Sequence, residues 1–395
     1  MRFVLLVVCG VVLASCGCFS TLAPASTGQK ASGEASPASA FRTIYSFQGA
    51  GSGDGSYPTS GVIFAHGELY GTTSAGGLSS QDAGTAFKAT VLGSESVIHS
   101  FEFAPYGAYP QELLPNKDFF YGLAGDGGTH NEGVVFRLAK SGLERVLHEF
   151  SGAPDGAYPN GSLILVKGTL YGTTSAGGRY GVGIVFTVTQ SGKERVLYSF
   201  KLGTDAAFPA AGLVDVNGTL YGTSSAGGAY NWGTVFAISL SGKEHVIYSF
   251  KGGADGASPT VSLIDVGGLL YGTTSAGGGY HDDGIVFAVS PSGKERVLHR
   301  FRGTPDDGAM PESPLIYVSG VLYGTTNAGG IADLGTIYRV TTSGRLRLLH
   351  AFASQAEGEN PQGPLLDVGG VLYGTANGGG VASGCSCGTI FAFLP

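Results

Sequence analysis

The sequence is short of charge, of tryptophan and of methionine. Only 13% of its 395 residues are Asp, Glu, Lys or Arg, against about 25% in an ordinary soluble domain, and it holds one Trp and two Met. The formal charge is −7 and Lys and Arg never cluster beyond two or three residues. The basic surface that nucleic-acid binding requires is therefore missing, and no nucleic-acid partner is expected. An HExxH motif is absent, and the Gly-rich stretch from Gly49 to Gly55 lacks the Lys and following helix of a phosphate loop. Past the first residues no run approaches the roughly 20 apolar residues a spanning helix needs. What is abundant is glycine: 69 residues, roughly one in six, each costing about 1 kcal/mol relative to Ala inside a helix. Strands joined by tight turns remain, and with 43% hydrophobic residues, 19 Tyr and 22 Phe there is ample material for a large core.

The chain opens with Met1-Arg2 and an apolar run from Phe3 to Ala14 interrupted only by Gly10, the pattern of a secretory signal. Leu13-Ala14-Ser15-Cys16 resembles the lipobox of bacterial lipoproteins, in which cleavage before the Cys leaves a thiol that carries diacylglycerol. Ordinary cleavage near Ser15 or after Cys18 is the alternative. Residues 19 to 40 hold almost no large apolar side chains and cannot bury enough surface to fold. The expectation is a lipoprotein-type signal peptide over 1–15, a flexible tether over 16–40 and one folded region over 41–395. This predicts an exported protein of the bacterial cell envelope, lipid-anchored through Cys16 or extracellular, touching the membrane only through that lipid.

Internal repetition dominates the rest. Tyr-Gly recurs at Tyr70, Tyr121, Tyr171, Tyr221, Tyr271, Tyr323 and Tyr373, at spacings of 50 to 52 residues. The unit from Ser262 to Phe301 reads as four strands: Leu263 to Val266, Leu269 to Ser275, Ile285 to Ser290 and Arg296 to Phe301. Gly267-Gly268 between the first two favours positive φ and a two-residue hairpin, as does Asn217-Gly218 one unit earlier. One such sheet cannot bury both faces alone, so neighbours must stack. The last unit stops after its third strand, while Arg42 to Phe47 reads like the fourth strand Arg195 to Phe200. The predicted fold is all-β: a seven-bladed β-propeller of four-stranded antiparallel blades, the last blade closed by the N-terminal strand.

The phrases LYGTTSAGG, GTVF, SGKERVLYSF and DGAYP resemble the bacterial choice-of-anchor tandem repeat family called GloVer over residues 41 to 395. The resemblance implies a propeller-like architecture and an exported surface protein. It carries no activity, and so no catalytic residue.

In a four-stranded antiparallel blade, the loop after the second strand and the loop between blades share one rim. The variable text there names the ligand-binding candidates: His130, Asn131 and Glu132; Tyr180; Tyr230, Asn231 and Trp232; Tyr280, His281, Asp282 and Asp283. Aromatics beside amides and carboxylates suit carbohydrate or peptide, and solvated loop tips are the plainer reading. Asp54, Asp155, Asp205, Asp255 and Asp307 recur between blades, where turn formation through side-chain to backbone hydrogen bonds is favoured over Ca²⁺. His99, His148, His299 and His350 share a fourth-strand position with Tyr45, Tyr198 and Tyr248, an interchange that reads as packing rather than metal ligation. Asp126 with His130 and Glu132 is, beside the His281 group, the other local acid/base cluster. No metal, cofactor or catalytic residue is expected. Cys385 and Cys387 are candidates for a local disulfide in a compartment where disulfides persist. The expected role is a binding module for glycan or protein at the cell surface; a polysaccharide hydrolase or lyase on the same rim, or a structural surface module, are the alternatives.

Overall fold

The computed structural model describes residues 40–79, 81–279, 281–380 and 385–395; the expected signal, the tether up to residue 39, Cys16 and Tyr280 lie outside them. Seven four-stranded antiparallel blades follow one another around a ring. In the fifth, Ile264–Val266, Leu269–Thr274, Ile285–Val289 and Glu295–Arg300 lie side by side in chain order. The first hairpin turns on Gly267 and Gly268 with φ of 63° and 84°, the double positive φ that a two-residue turn needs to match strand twist. Among the described residues helix is confined to two three-residue turns, and no helix is long and apolar enough to cross a membrane.

The Tyr-Gly pair marks the second strand because both faces of that strand are buried. At Gly172 a Cβ would lie 2.6 Å from the ring tip of Phe186 on the neighbouring third strand, so any side chain must displace that ring. The tyrosine points the other way, into the next blade: Tyr70 meets Phe120 with ring centroids 4.8 Å apart. The apolar side chains accordingly fall into seven clusters, each shared by two neighbouring blades. The cluster joining the last blade to the first combines Tyr373 and Ile390 with Phe47, Val62, Leu69 and Phe87.

That seventh cluster makes the structure a closed ring. Phe41–Ser46 lies antiparallel on Thr389–Phe393, pairing Phe41 with Phe393 and Ser46 with Thr389, and supplies the outer strand of the last blade. Around the inner wall a threonine hydroxyl of one blade donates to a backbone carbonyl of the next: Thr72 to Gln111 at 2.9 Å, Thr223 to Val261 at 3.1 Å, Thr273 to Pro311 at 2.9 Å. The same link crosses the closure, from Thr375 to Ser60 at 2.8 Å. The second blade has Leu123 at this position.

Candidate functional site: the collar and cavity on the ring axis

Each inter-blade loop ends in a residue followed by Pro, and all seven of these residues are left-handed. They are Tyr57, Tyr109, Tyr158, Phe208, Ser258, Met310 and Asn360, with φ between 51° and 57°. Bulky side chains seldom occupy this region, which costs roughly 1–2 kcal/mol outside Gly. The backbone explains why it is held. The amide of each residue donates to the variable loop of the preceding blade, as Tyr158 does to the Glu132 carbonyl at 2.8 Å and Ser258 to the Trp232 carbonyl at 3.0 Å. Its own carbonyl accepts from the second strand of its blade: Ser175 Oγ reaches Tyr158 at 3.1 Å and Ser225 Oγ reaches Phe208 at 3.1 Å. With the amide committed to the preceding blade and the carbonyl to its own, the side chain is left on the surface. Tyr57, Tyr109, Tyr158, Phe208 and Met310 are between 37% and 46% exposed, which makes an arc of four aromatics over the first four blades. Tyr109 and Tyr158 line one hollow together with Gln111, Asn160 and Ser175.

Below the collar the residues after each Pro enclose a cavity of about 130 Å³ on the ring axis, to which every blade contributes. Thr59, Gln111, Thr260 and Gln362 place neutral polar groups in walls also lined by Ala210, Ala211, Val261, Pro314 and Pro364, and Glu112 and Glu312 add two carboxyls from the second and sixth blades. Burial pushes the Glu112 carboxyl up to about 7, against a hydrogen bond from Ser162. Burial also raises Glu312, opposed by donors from Gln362 at 3.3 Å and Asn327 at 3.0 Å. At neutral pH the cavity thus offers both a carboxyl that can donate and amides and hydroxyls that can donate or accept.

The residues singled out from sequence occupy the same rim, spread over separate loops. Asn131, Asn231 and Asp282 are left-handed and turn their side-chain oxygens onto their own loops, accepting from Gly127 at 3.2 Å, Gly227 at 3.0 Å and Gly277 at 2.5 Å. Tyr230 and Asn231 line a shallow hollow with Leu202 and Thr204. Trp232, 50% exposed, lies over the Gly252 backbone. Tyr180 is stacked by Arg179, with the guanidinium 5.6 Å from the ring centroid. His281 borders a hollow with His299 and Arg302. Asp283 is raised by burial first, and Glu132 keeps one buried carboxylate oxygen without a partner. Asp126 is likewise raised by burial. His130 meets the Thr129 hydroxyl at 3.2 Å. Cys385 and Cys387 are joined as a disulfide, their Cα atoms 5.2 Å apart.

The recurrent Asp and the Tyr/His of the outer strand form one arrangement. Each Asp caps its own loop, as Asp155 does by accepting from Gly156 at 2.7 Å, and also takes the outer-strand side chain: Tyr45 to Asp54 at 2.8 Å, Tyr198 to Asp205 at 2.9 Å, His299 Nε2 to Asp307 at 2.9 Å. The rings pack on the buried Phe two residues on, His148 on Phe150 with centroids 4.8 Å apart. Packing was legible from the interchange; the shared hydrogen bond was not. A glutamate from the next blade's outer strand completes the seam. Burial and the nearby Asp raise Glu95 and Glu295 to about 7, and raise Glu244 and Glu194. Reading the sequence missed this Glu and the collar; the variation Tyr, Phe, Ser, Met, Asn before an unvarying Pro was the available signal for the latter.

A family model described as Gloeobacter/Verrucomicrobia repeat matches residues 79–282 and 278–395. No curated protein matches the chain. Among solved structures, a virginiamycin B lyase from Staphylococcus aureus is similar at 14% identity and a TM-score of 0.57, over 85% of this chain and 95% of that one. A streptogramin B lyase is similar at 13% identity and a TM-score of 0.59, over 90% and 97%. At such identity the likeness concerns the fold.

Proposed function

The chain belongs to the Gloeobacter/Verrucomicrobia repeat family, and from that premise we propose that it is a glycan-binding propeller of the cell envelope, exported and held by lipid at Cys16. One observation carries the binding role: four aromatic side chains stand above a cavity on the ring axis whose walls mix polar and apolar groups, displayed by backbone held in a costly conformation. Flat aromatic area suits the apolar face of a sugar ring, and a wall of amides, hydroxyls and carboxyls suits its hydroxyl groups. Export and anchoring rest on the Leu13 to Cys16 sequence. The test is glycan-array binding by the exported protein and by Tyr109→Ser and Tyr158→Ser, which carry the residue the fifth blade already has there as Ser258. Each aromatic contact is expected to contribute about 0.5–1.5 kcal/mol, roughly a two- to twelvefold loss of affinity. Absence of any glycan ligand, with a protein captured in its place, or equal binding by both variants, would overturn the reading.

A second reading is favoured by Glu112 and Glu312 lining one cavity with raised carboxyls. A carboxyl that titrates near neutrality is suited to general acid catalysis, and the pair would serve a polysaccharide hydrolase or lyase. Glu112→Gln should then abolish product formation, read as loss of new reducing ends or unsaturated ends, while glycan binding persists.

A further inference from the structure

We propose that the seam between the second and third blades binds a divalent transition-metal ion through His148, Asp155 and Glu194. The seams are built on one plan, and comparing them isolates this one. Where the outer strand carries Tyr, as at Tyr45, Tyr198 and Tyr248, the hydroxyl donates to the loop Asp and no imidazole is present. The seams of His299 and His350 have an acid in the loop, but Leu346 and Phe41 stand where the next strand's Glu would be; Phe41 stacks on His350 with centroids 4.1 Å apart. At His99 the loop has Tyr106 in place of Asp. Among the described residues, the three ligand types meet only at His148, Asp155 and Glu194, whose ligand atoms all lie within 4.8 Å of one another.

The geometry is close to that of a bound ion. Two ligands bonded at about 2.0–2.2 Å to one tetrahedral ion are roughly 3.3 Å apart, and His148 Nε2 lies 3.1 Å from Asp155 Oδ2. Glu194 needs to move by no more than roughly 1.5 Å to join them. Its Oε1 is buried without a hydrogen-bond partner. The equivalent oxygens of Glu95, Glu244 and Glu295 share that condition beside tyrosines, as does that of Glu144 beside His99, where the loop has no Asp. At His148 a cation can be the partner. His148 and Asp155 keep 19% and 16% side-chain exposure, so an ion can reach them from solvent.

The electrostatics agree. Burial works to raise Asp155, but hydrogen bonds from His148, Gly156 and Ser151 outweigh it and hold the carboxyl low. Burial and then the charge of Asp155 raise Glu194, with His148 and Arg195 acting the other way. A bound Glu194 is ionised, and the imidazole carries its proton on Nδ1, leaving the Nε2 lone pair for the metal. One nitrogen and two carboxylates leave a fourth tetrahedral position for water, and imidazole selects Zn²⁺ or its neighbours over Ca²⁺ or Mg²⁺.

Zn²⁺ titration of the full chain by calorimetry, with Co²⁺ absorbance as a report of coordination, tests this. One equivalent should bind. His148→Tyr reproduces the seam of three other blades, so it should fold and should lose more than the 10–100-fold that removing a mere outer-shell partner costs. Glu194→Gln should weaken binding at least tenfold, while His299→Tyr and His350→Tyr should leave it unchanged. No saturable site in the native protein, native-like binding by His148→Tyr or Glu194→Gln, or loss of the site in His299→Tyr would each overturn the proposal.

Discussion

Phe47→Ala should destabilise the propeller by about 3–5 kcal/mol, the cost of truncating a fully buried Phe to Ala. The figure follows from its surroundings. Phe47 is fully buried, immediately after the N-terminal strand, edge-on to Phe87 at 5.1 Å and to Tyr45 at 5.2 Å, in the cluster that joins the last blade to the first. Phe250 occupies the same position in an interior blade, equally buried and edge-on to Phe287 and Tyr248, each at 5.1 Å. It is the internal standard. Urea unfolding of the two variants should give the same loss of free energy, because in a closed ring the joint at Phe47 is an interface like the others. If Phe47→Ala costs under about 1 kcal/mol while Phe250→Ala costs the full amount, the N-terminal strand contributes little and closure as argued is wrong. Deleting residues 41–47 removes the strand altogether and bares the edge of Thr389–Phe393. That variant should aggregate, and a soluble, equally stable deletion would refute closure independently.

Stability should fall as pH rises from about 4.5 to about 7. Glu95 and Glu295 hold protons in the folded seams up to about 7 that the unfolded chain releases near 4.5, so folding binds protons in that window and loses the advantage as they leave. Melting temperatures at pH 5 and pH 8 check the sign, and Glu95→Gln with Glu295→Gln should flatten the difference. Thr375→Val removes the donor to the Ser60 carbonyl and strands a buried acceptor, for a loss of about 1–3 kcal/mol in denaturant melts. Cys16→Ser should move the protein from the membrane fraction to the soluble one if the thiol carries lipid; unchanged partitioning would refute the anchor.

Much of the architecture was readable because the unit is written seven times. Periodicity gave the blade number, Gly-Gly and Asn-Gly placed the first hairpins, and the match of Arg42–Phe47 to Arg195–Phe200 identified the closing strand. Strand limits moved by a residue, as with Glu295–Arg300 against the expected Arg296 to Phe301, because the ladder follows hydrogen bonding rather than the apolar pattern. The candidate site was read less well. Variable loop text drew attention to Asn131, Asn231 and Asp282, whose side chains close their own loops. Tyr109 and Tyr158, each in a Gly-Ala-Tyr-Pro run, were not singled out.

The chain by itself determined the class, the repeat and the order of strands, since these depend on local spacing and on which residues must be buried. Only the tertiary ring decided which distant residues meet. Glu112 and Glu312 are 200 positions apart yet line one axial cavity, and His148 finds Glu194 in the next blade. Circular closure brings the same point of every repeat to one axis and sets each blade's edge against its neighbour. That superposition follows from how blades pack around a centre, and the sequence of one unit does not contain it.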